Sequence, residues 1–327
     1  MPLEALRYTL TPVGLHYLLI HYDIPEAEEA AWTLAVGDVE IPFADVKRRA
    51  AVELTVTMEC AGNGRAHLDP RPVSQPWLLE AVGTARWRGA PLAPLLEEVG
   101  VPAGAIEVLF TGADQGREGG IDQAYQRSLT VEDALGSEAL LAYEMNGAPL
   151  LPQHGFPLRL LVPGWYGMTS VKWLTRIEFL TEPFTGYQQV HGYRFRLHED
   201  DAGEPVQRIV PRALMIPPGR PEFETRERIV QAGLCSLEGR AWSGLGEISS
   251  VHVSVDGGET WGEALLGQAE GRWAWRGWSF EWQAEPGRYE LCCRTRDSAG
   301  NEQPVEPVWN VGGYSNNAVQ RVPVTVV

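Results

Sequence analysis

One cysteine offers the clearest chemistry in this chain. Cys60 stands in Met58-Glu59-Cys60-Ala61-Gly62-Asn63-Gly64-Arg65. Ahead of it Val52, Leu54, Val56 and Met58 alternate with Glu53, Thr55, Thr57 and Glu59. That period of two predicts a half-buried strand over 52–59, with Cys60 continuing the inward, even-numbered face. The Ala-Gly-Asn-Gly that follows lets the backbone turn sharply and approach a ligand. A thiol at the inner end of a strand, before a permissive turn and an arginine, can ligate a soft metal. On spacing alone the same residues also describe a structural cysteine buried before a loop.

A second group lies downstream. His154 and Arg159 are five apart around Pro157, and a Gly-rich turn then leads to Ser170 and to Lys172, placed on a second strand. Three potential cations from separate segments can converge on one phosphate; each taken singly also fits a solvated surface charge. The apolar run 15–20, interrupted by His16 and closed by His21, reads as a short buried strand with histidines at its ends. Asp114 reads as a turn aspartate ending a strand over 106–110.

The elements that must position these groups follow. Residues 69–77 are Pro-rich and form a loop that ends at Trp77. Residues 85–100 suggest a short helix with Leu92, Leu95, Leu96 and Val99 as its apolar stripe and Gly100 as its stop. Residues 139–143 form a strand that enters an Asn146-Gly147 hairpin turn. Past Glu199–Gly203 the texture changes to short alternating strands between Gly/Pro turns, over 248–255, 273–282 and 289–296. Trp278, Phe280 and Trp282 alternate with Ser279, Glu281 and Gln283. Six or more such strands read as an all-β immunoglobulin-like sandwich. Seven of the 12 tryptophans lie in this half, enough aromatic surface to present a hydrophobic interface.

Length and charge set the limits. A chain of 327 residues suggests two domains, placed at 1–203 and 204–327. The net charge of −16 argues against nucleic acid and anionic membrane as partners. Cys60, Cys235, Cys292 and Cys293 form no CxxC pair or zinc spacing, and no apolar run reaches membrane-spanning length. With no leader at the N-terminus, the reading is a cytoplasmic protein, or a periplasmic one whose leader was removed.

The Cys60 segment resembles the molybdenum-ligand segment of the sulfite oxidase family of molybdopterin enzymes, and further motifs appear in the family's order. Thr11-Pro12, Tyr17, His21 and Pro25 match, as do Asp114 and the run from His154 through Arg159 and Ser170 to Lys172. The resemblance spans residues 9 to about 195 and implies the haem-free bacterial type. It implies an α+β catalytic domain of mixed sheets with short helices, followed by a sandwich that makes a homodimer. It implies molybdenum ligated by Cys60. The molybdopterin would be held by Tyr17, His21, Asp114, His154, Arg159, Ser170 and Lys172. Tyr193, after a one-residue shift, would serve as the active-site tyrosine, with Arg65 and Trp77 beside the site. The implied activity is oxygen-atom transfer at a small sulfur substrate, sulfite to sulfate by default, with an external one-electron acceptor.

The sequence departs from the family at Leu19, Val73 and Gly312, where cations are expected around sulfite. Each lost charge-assisted contact weakens anion binding by about 1.5–3 kcal/mol. That favours a second reading, in which the substrate is sulfane sulfur or an S-oxide and sulfite is used poorly; Gly14-Leu15-His16 is similar to the sulfane dehydrogenases. A non-catalytic pterin-binding dimer is the third.

Overall fold

The structure is a computed structural model that describes residues 2–327. The first half is built from two five-stranded sheets. One runs in the order Val39–Pro42, Thr33–Val36, Leu174–Leu180, Glu107–Glu118, Ile121–Thr130. The other runs Val52–Glu59, Val82–Pro91, Leu140–Met145, Ala148–Pro149, with Arg159–Leu161 also on the Leu140–Met145 strand. Short helices Phe43–Arg48 and Leu92–Val99 close a core shared by both sheets, with Leu34, Val46, Leu95, Phe110, Leu141, Leu160 and Ile177 at its centre.

The strand ending at Cys60 forms as its alternation requires, over Val52–Glu59. Its outer face differs from the expectation. Only the first half is open to solvent; Thr57 and Glu59 are buried, because second-half residues cover that face. The Asn146-Gly147 turn also forms, with both residues at positive φ (53° and 79°), as a type I′ hairpin demands.

Four local expectations are corrected. Residues 15–20 form no strand; a 3-10 turn over Val13–Leu15 is followed by irregular chain. Its backbone faces the cleft rather than a neighbouring strand, and Leu19 O accepts from Lys172 Nζ at 2.7 Å. Within 85–100, Val82–Pro91 is a strand and only Leu92–Val99 is helical. Ala85 and Trp87 point inward while Arg86 and Arg88 point out, a period of two that tertiary pairing on both sides enforces. The 106–110 strand does not stop at Thr111; it continues to Glu118 through an irregularity between Thr111 and Gln115, and Asp114 sits in that bulge. Lys172 lies just ahead of the Leu174–Leu180 strand rather than on it.

The second half holds a four-stranded sheet (Arg212–Met215, Gly233–Trp242, Arg276–Ala284, Leu265–Leu266) and a six-stranded one centred on Gln320–Val326, Gly287–Asp297 and Ile248–Ser254. The alternation read from Trp278 and Trp282 holds: both are buried, while Glu281 and Gln283 are exposed. They enter a core made by both sheets, with Leu237, Val251, Leu291 and Val324. A third cluster joins the halves, combining Ala61, Tyr166, Met168 and Tyr193 with Leu214, Trp242 and Trp275. Leu6 joins it too, and Arg240 Nε donates to Leu6 O at 2.8 Å, so the N-terminal turn packs on the second half.

Candidate functional site

Cys60 ends its strand at the junction of two adjoining pockets and lines both. Its turn is fixed from three directions. Asn63 N donates to Cys60 O (2.9 Å), Cys60 N to Ala81 O (2.9 Å), and Ser315 N to Ala61 O (2.8 Å). Gly64 adopts φ 89°, and a Cβ there would lie 2.7 Å from Asn316 O, so this position demands glycine twice over. The thiol is buried, and burial pushes it up to about 11; the Arg65 guanidinium works against that rise.

Beneath the turn is a buried ion pair the sequence did not announce. Arg212 Nε lies 2.9 Å from Glu59 Oε1, with both side chains about 1% exposed. Asn63 Nδ2 donates to Glu59 Oε1 (3.0 Å) and Trp242 Nε1 to Oε2 (2.8 Å). Arg212 also donates to Asn63 O and Asn316 O. The second half therefore grips both ends of the Cys60 turn.

The first pocket gathers Tyr17, His21, Cys60, Asp114, His154, Arg159, Ser170, Lys172 and Tyr193 in one cleft. Of the residues the sequence reading assigned to the cofactor or the reaction, only Arg65 and Trp77 lie elsewhere. Arg159 is held by its Nη1 on His154 O (2.9 Å) and Nη2 on Ser170 O (3.0 Å), with Trp87 5.1 Å beneath it. Ser170 Oγ accepts from Val162 N (3.0 Å), so the hydroxyl braces the wall. Burial, followed by Arg159 and Lys172, holds His154 at about 4, so it is a neutral imidazole and not a third cation. Lys172 is lowered to about 7, by burial and then Arg159. Asp114 is raised to about 6 by burial, against the pull of Lys172.

The second pocket, a cavity of about 280 Å³, is lined by Leu19, His21, Cys60, Arg65, Trp77, Arg117, Glu118, Gln188, Tyr193 and Tyr314 among others. Arg65 is buried, donates to Gly312 O (2.8 Å) and Gln75 O (3.1 Å), and stacks 5.0 Å over Tyr314. The Trp309–Gly313 loop reaches this wall, where the Gly312 carbonyl accepts from Arg65. Tyr193 OH and His21 Nε2 are 2.6 Å apart. Tyr193 has φ 49°, an uncommon backbone for an aromatic residue. Of the three expected cation positions, Leu19 lines both pockets and Val73 is fully exposed and lines neither. A Cβ on Gly312 would lie 2.4 Å from the Tyr314 ring.

Sequence reasoning missed Tyr125 in the first pocket and Tyr22, Arg117, Glu118, Gln188 and Tyr314 in the second; His16, read as a break in an apolar run, also lines the first. Tyr314 was within reach, two residues past Gly312. The others come from strands and loops with no local mark of function.

Asp114 Oδ1 and His16 Nε2 are buried without hydrogen-bond partners, and Arg159 and Lys172 donate only to backbone carbonyls. Among the described residues no cluster of three or more His, Cys, Asp or Glu could hold a metal. A cleft with one thiol, spare cations and an orphaned carboxylate oxygen suits an anionic group that brings its own metal ligands.

Residues 21–188 match the family model of the oxidoreductase molybdopterin binding domain, and residues 220–327 that of the Mo-co oxidoreductase dimerisation domain. The chain belongs to the sulfite oxidase family of molybdopterin oxidoreductases. Its cofactor is molybdenum bound to molybdopterin. Chicken sulfite oxidase is 35% identical over 95% of this chain and 72% of that protein. Mouse mitochondrial sulfite oxidase is 34% identical over 97% of the chain, which spans 62% of the relative's length. Rice nitrate reductase [NADH] 1 is 33% identical, over 97% of the chain and 38% of that protein. Among solved structures the sulfane dehydrogenase SoxCD from Paracoccus pantotrophus superposes with a TM-score of 0.85 at 25% identity, over 98% of this chain and 82% of that one. Within this sulfite oxidase family the substrate thus varies from member to member. Among the described residues no helix is long and apolar enough to cross a membrane.

Proposed function

We propose that this enzyme transfers an oxygen atom at the sulfur of a small substrate, and that it binds sulfite, the family's default substrate, poorly. The observation that carries the second clause is the wall of the second pocket. Leu19 is apolar, Val73 points to solvent, Gly312 offers only a carbonyl, and Arg65 is the buried cation left on the wall. Sulfane sulfur and neutral S-oxides fit that wall better than a dianion does.

Cys60, as thiolate, would be the protein's ligand to molybdenum. Arg159 and Lys172 would bind the cofactor's phosphate, with neutral His154 as a donor or acceptor beside them. Asp114 would accept from the pterin, and Tyr17, His21 and Ser170 would complete its contacts. When bound, the cofactor supplies an oxo group and two-electron redox chemistry. Tyr193 would donate a hydrogen bond to a substrate oxygen, and His21, held neutral by burial, keeps the hydroxyl aimed. Arg65 and Trp77 would orient the substrate. The electrons would leave singly to an external acceptor.

The rest of the proposal concerns assembly. The second half is taken as an immunoglobulin-like sandwich beginning near residue 204 that forms a homodimer; the match to a dimerisation domain supports this. Four free cysteines fit a reducing compartment, and the net charge of −16 disfavours nucleic acid and anionic membrane. The test is metal and pterin analysis of the purified protein, then steady-state assay with sulfite against neutral S-oxides. About one molybdenum per chain and a millimolar KM for sulfite are expected. Absence of molybdenum would overturn the cofactor assignment, and a micromolar KM would overturn the substrate reading.

A further inference from the structure

Five arginines are buried among the described residues: Arg65, Arg127, Arg159, Arg212 and Arg228. Arg212 and Arg228 each have a carboxylate partner, Glu59 and Glu4. The other three have none. A buried, unpaired guanidinium is strongly destabilising unless an anion compensates it. For Arg159 that anion would be the phosphate of the cofactor as proposed above, and Arg65 lines the second pocket. Arg127 lines neither pocket and nothing in the reaction has yet used it.

Its surroundings locate it. Arg127 lies on the Ile121–Thr130 strand, 3% exposed. Nη1 donates to Gln188 O, and Nε has no partner. Its guanidinium stands 5.6 Å from the centre of the Tyr193 ring. Gln188 and Tyr193 are wall residues of the second pocket, and Tyr125, two residues along the same strand, is a wall residue of the first. Arg127 is therefore a fixed positive charge directly behind the pocket wall, separated from the substrate space by the Tyr193 ring. Its charge reaches His21, where it adds to burial and Lys172 in keeping the imidazole neutral.

We propose that Arg127 is a specificity-determining residue of this site: it supplies, through the wall and without contact, part of the positive field that contact cations at positions 19, 73 and 312 do not, and so keeps a residual affinity for anions at a wall that otherwise favours neutral substrates. A charge in a low-dielectric wall acts over several ångströms with little screening. Field without hydrogen bonds gives selectivity by charge, with none of the directional affinity a bidentate contact adds. The inference rests on the second pocket being the substrate site, as proposed above.

The experiment measures binding to the molybdenum-loaded protein, with sulfate as the dianion probe and dimethyl sulfoxide as the neutral one. Metal content is determined first, so that failure of the cofactor assignment is seen separately. In Arg127→Gln the Kd for sulfate is expected to rise about tenfold while that for dimethyl sulfoxide changes less than twofold. Arg127→Lys, which keeps the charge, is expected to stay within about threefold of wild type for sulfate. Turnover with both sulfite and the sulfoxide adds a second reading: KM for sulfite should rise with kcat little changed. Equal weakening of both probes in Arg127→Gln assigns Arg127 a purely structural role and overturns the proposal. So does a lysine variant as poor as the glutamine one, or sulfate binding that no variant alters. If Arg127→Gln does not fold, Arg127→Met takes its place with the same expectations.

Discussion

The two pockets that share Cys60 differ in how their cations are held. The first pocket takes its two cations from one stretch, His154 to Lys172, braced by its own backbone: Arg159 on His154 O and Ser170 O, Ser170 on Val162 N. The substrate pocket is collected from residues 19–22, 60–65, 74–77, 117–118, 188–193 and 314. A ligand common to a whole family can be held by a contiguous cassette. A substrate that differs between members is met by side chains from many segments, each of which can change alone.

The strongest way to break the comparison is at the shared residue. Cys60→Ser replaces a soft ligand by a hard one, so turnover should fall on the order of 10²-fold or more, with molybdenum content reduced. Metal analysis beside steady-state assay checks this; unchanged turnover would remove Cys60 from both pockets' chemistry.

Next comes the grip beneath the turn. Arg212→Met leaves Glu59 buried and unpaired, which should destabilise the protein by about 3–5 kcal/mol. A double variant that also carries Glu59→Gln should recover much of that loss. Denaturant titration of wild type, single and double variants tests the pairing, and full additivity of the two substitutions would show the pair does not act as a unit.

The cofactor pocket should also announce itself through pH. In cofactor-free protein, burial holds His16 at about 3 and His21 and His154 at about 4. A histidine lowered in the fold binds its proton more readily when unfolded, so stability is full above about 6.5 and falls as pH drops toward 4. Lys172, lowered to about 7, extends the same slope upward toward its ordinary 10.5. Asp114 opposes it: raised to about 6, it adds stability as pH falls from 6 to its ordinary 3.8. The net expectation is a loss of roughly 5 kcal/mol between pH 7 and 5. Thermal midpoints across that range measure it, and a flat profile would mean these groups are solvated without the cofactor.

The smallest effect belongs to the substrate pocket. Leu19→Arg should improve sulfite binding by about 1.5 kcal/mol, roughly tenfold in KM with kcat little changed. Gly312→Arg should fail to do so, because its Cβ meets Tyr314 at 2.4 Å. Paired with Tyr314→Ala it should recover part of the gain. Improvement by Gly312→Arg alone would show that the loop is softer than its contacts suggest.

Much was legible beforehand for a physical reason: local chemistry sets local form. Alternation specified the Val52–Glu59 strand and the Trp278/Trp282 face, and Asn146-Gly147 specified its own turn. Where neighbours decided, the reading slipped. Val82–Pro91 is a strand because it is paired on both edges, despite the helix that follows it. Asp114 lies in a bulge because its strand continues past it.

The sequence by itself marked residues that meet in the first pocket, since Cys60, His154, Arg159, Ser170 and Lys172 sit in motifs of closely spaced segments. It also marked Leu19, Val73 and Gly312 as missing cations. Only the tertiary structure decided what those absences mean. It carried Val73 out to solvent and filled the space beside Gly312 with Tyr314. It buried Glu59 against Arg212, and set Arg127 behind Tyr193 without a carboxylate. The Glu59–Arg212 and Arg127–Tyr193 contacts each cross more than 60 residues of chain, and burial and charge compensation are properties of the space a side chain ends in. No local pattern encodes them.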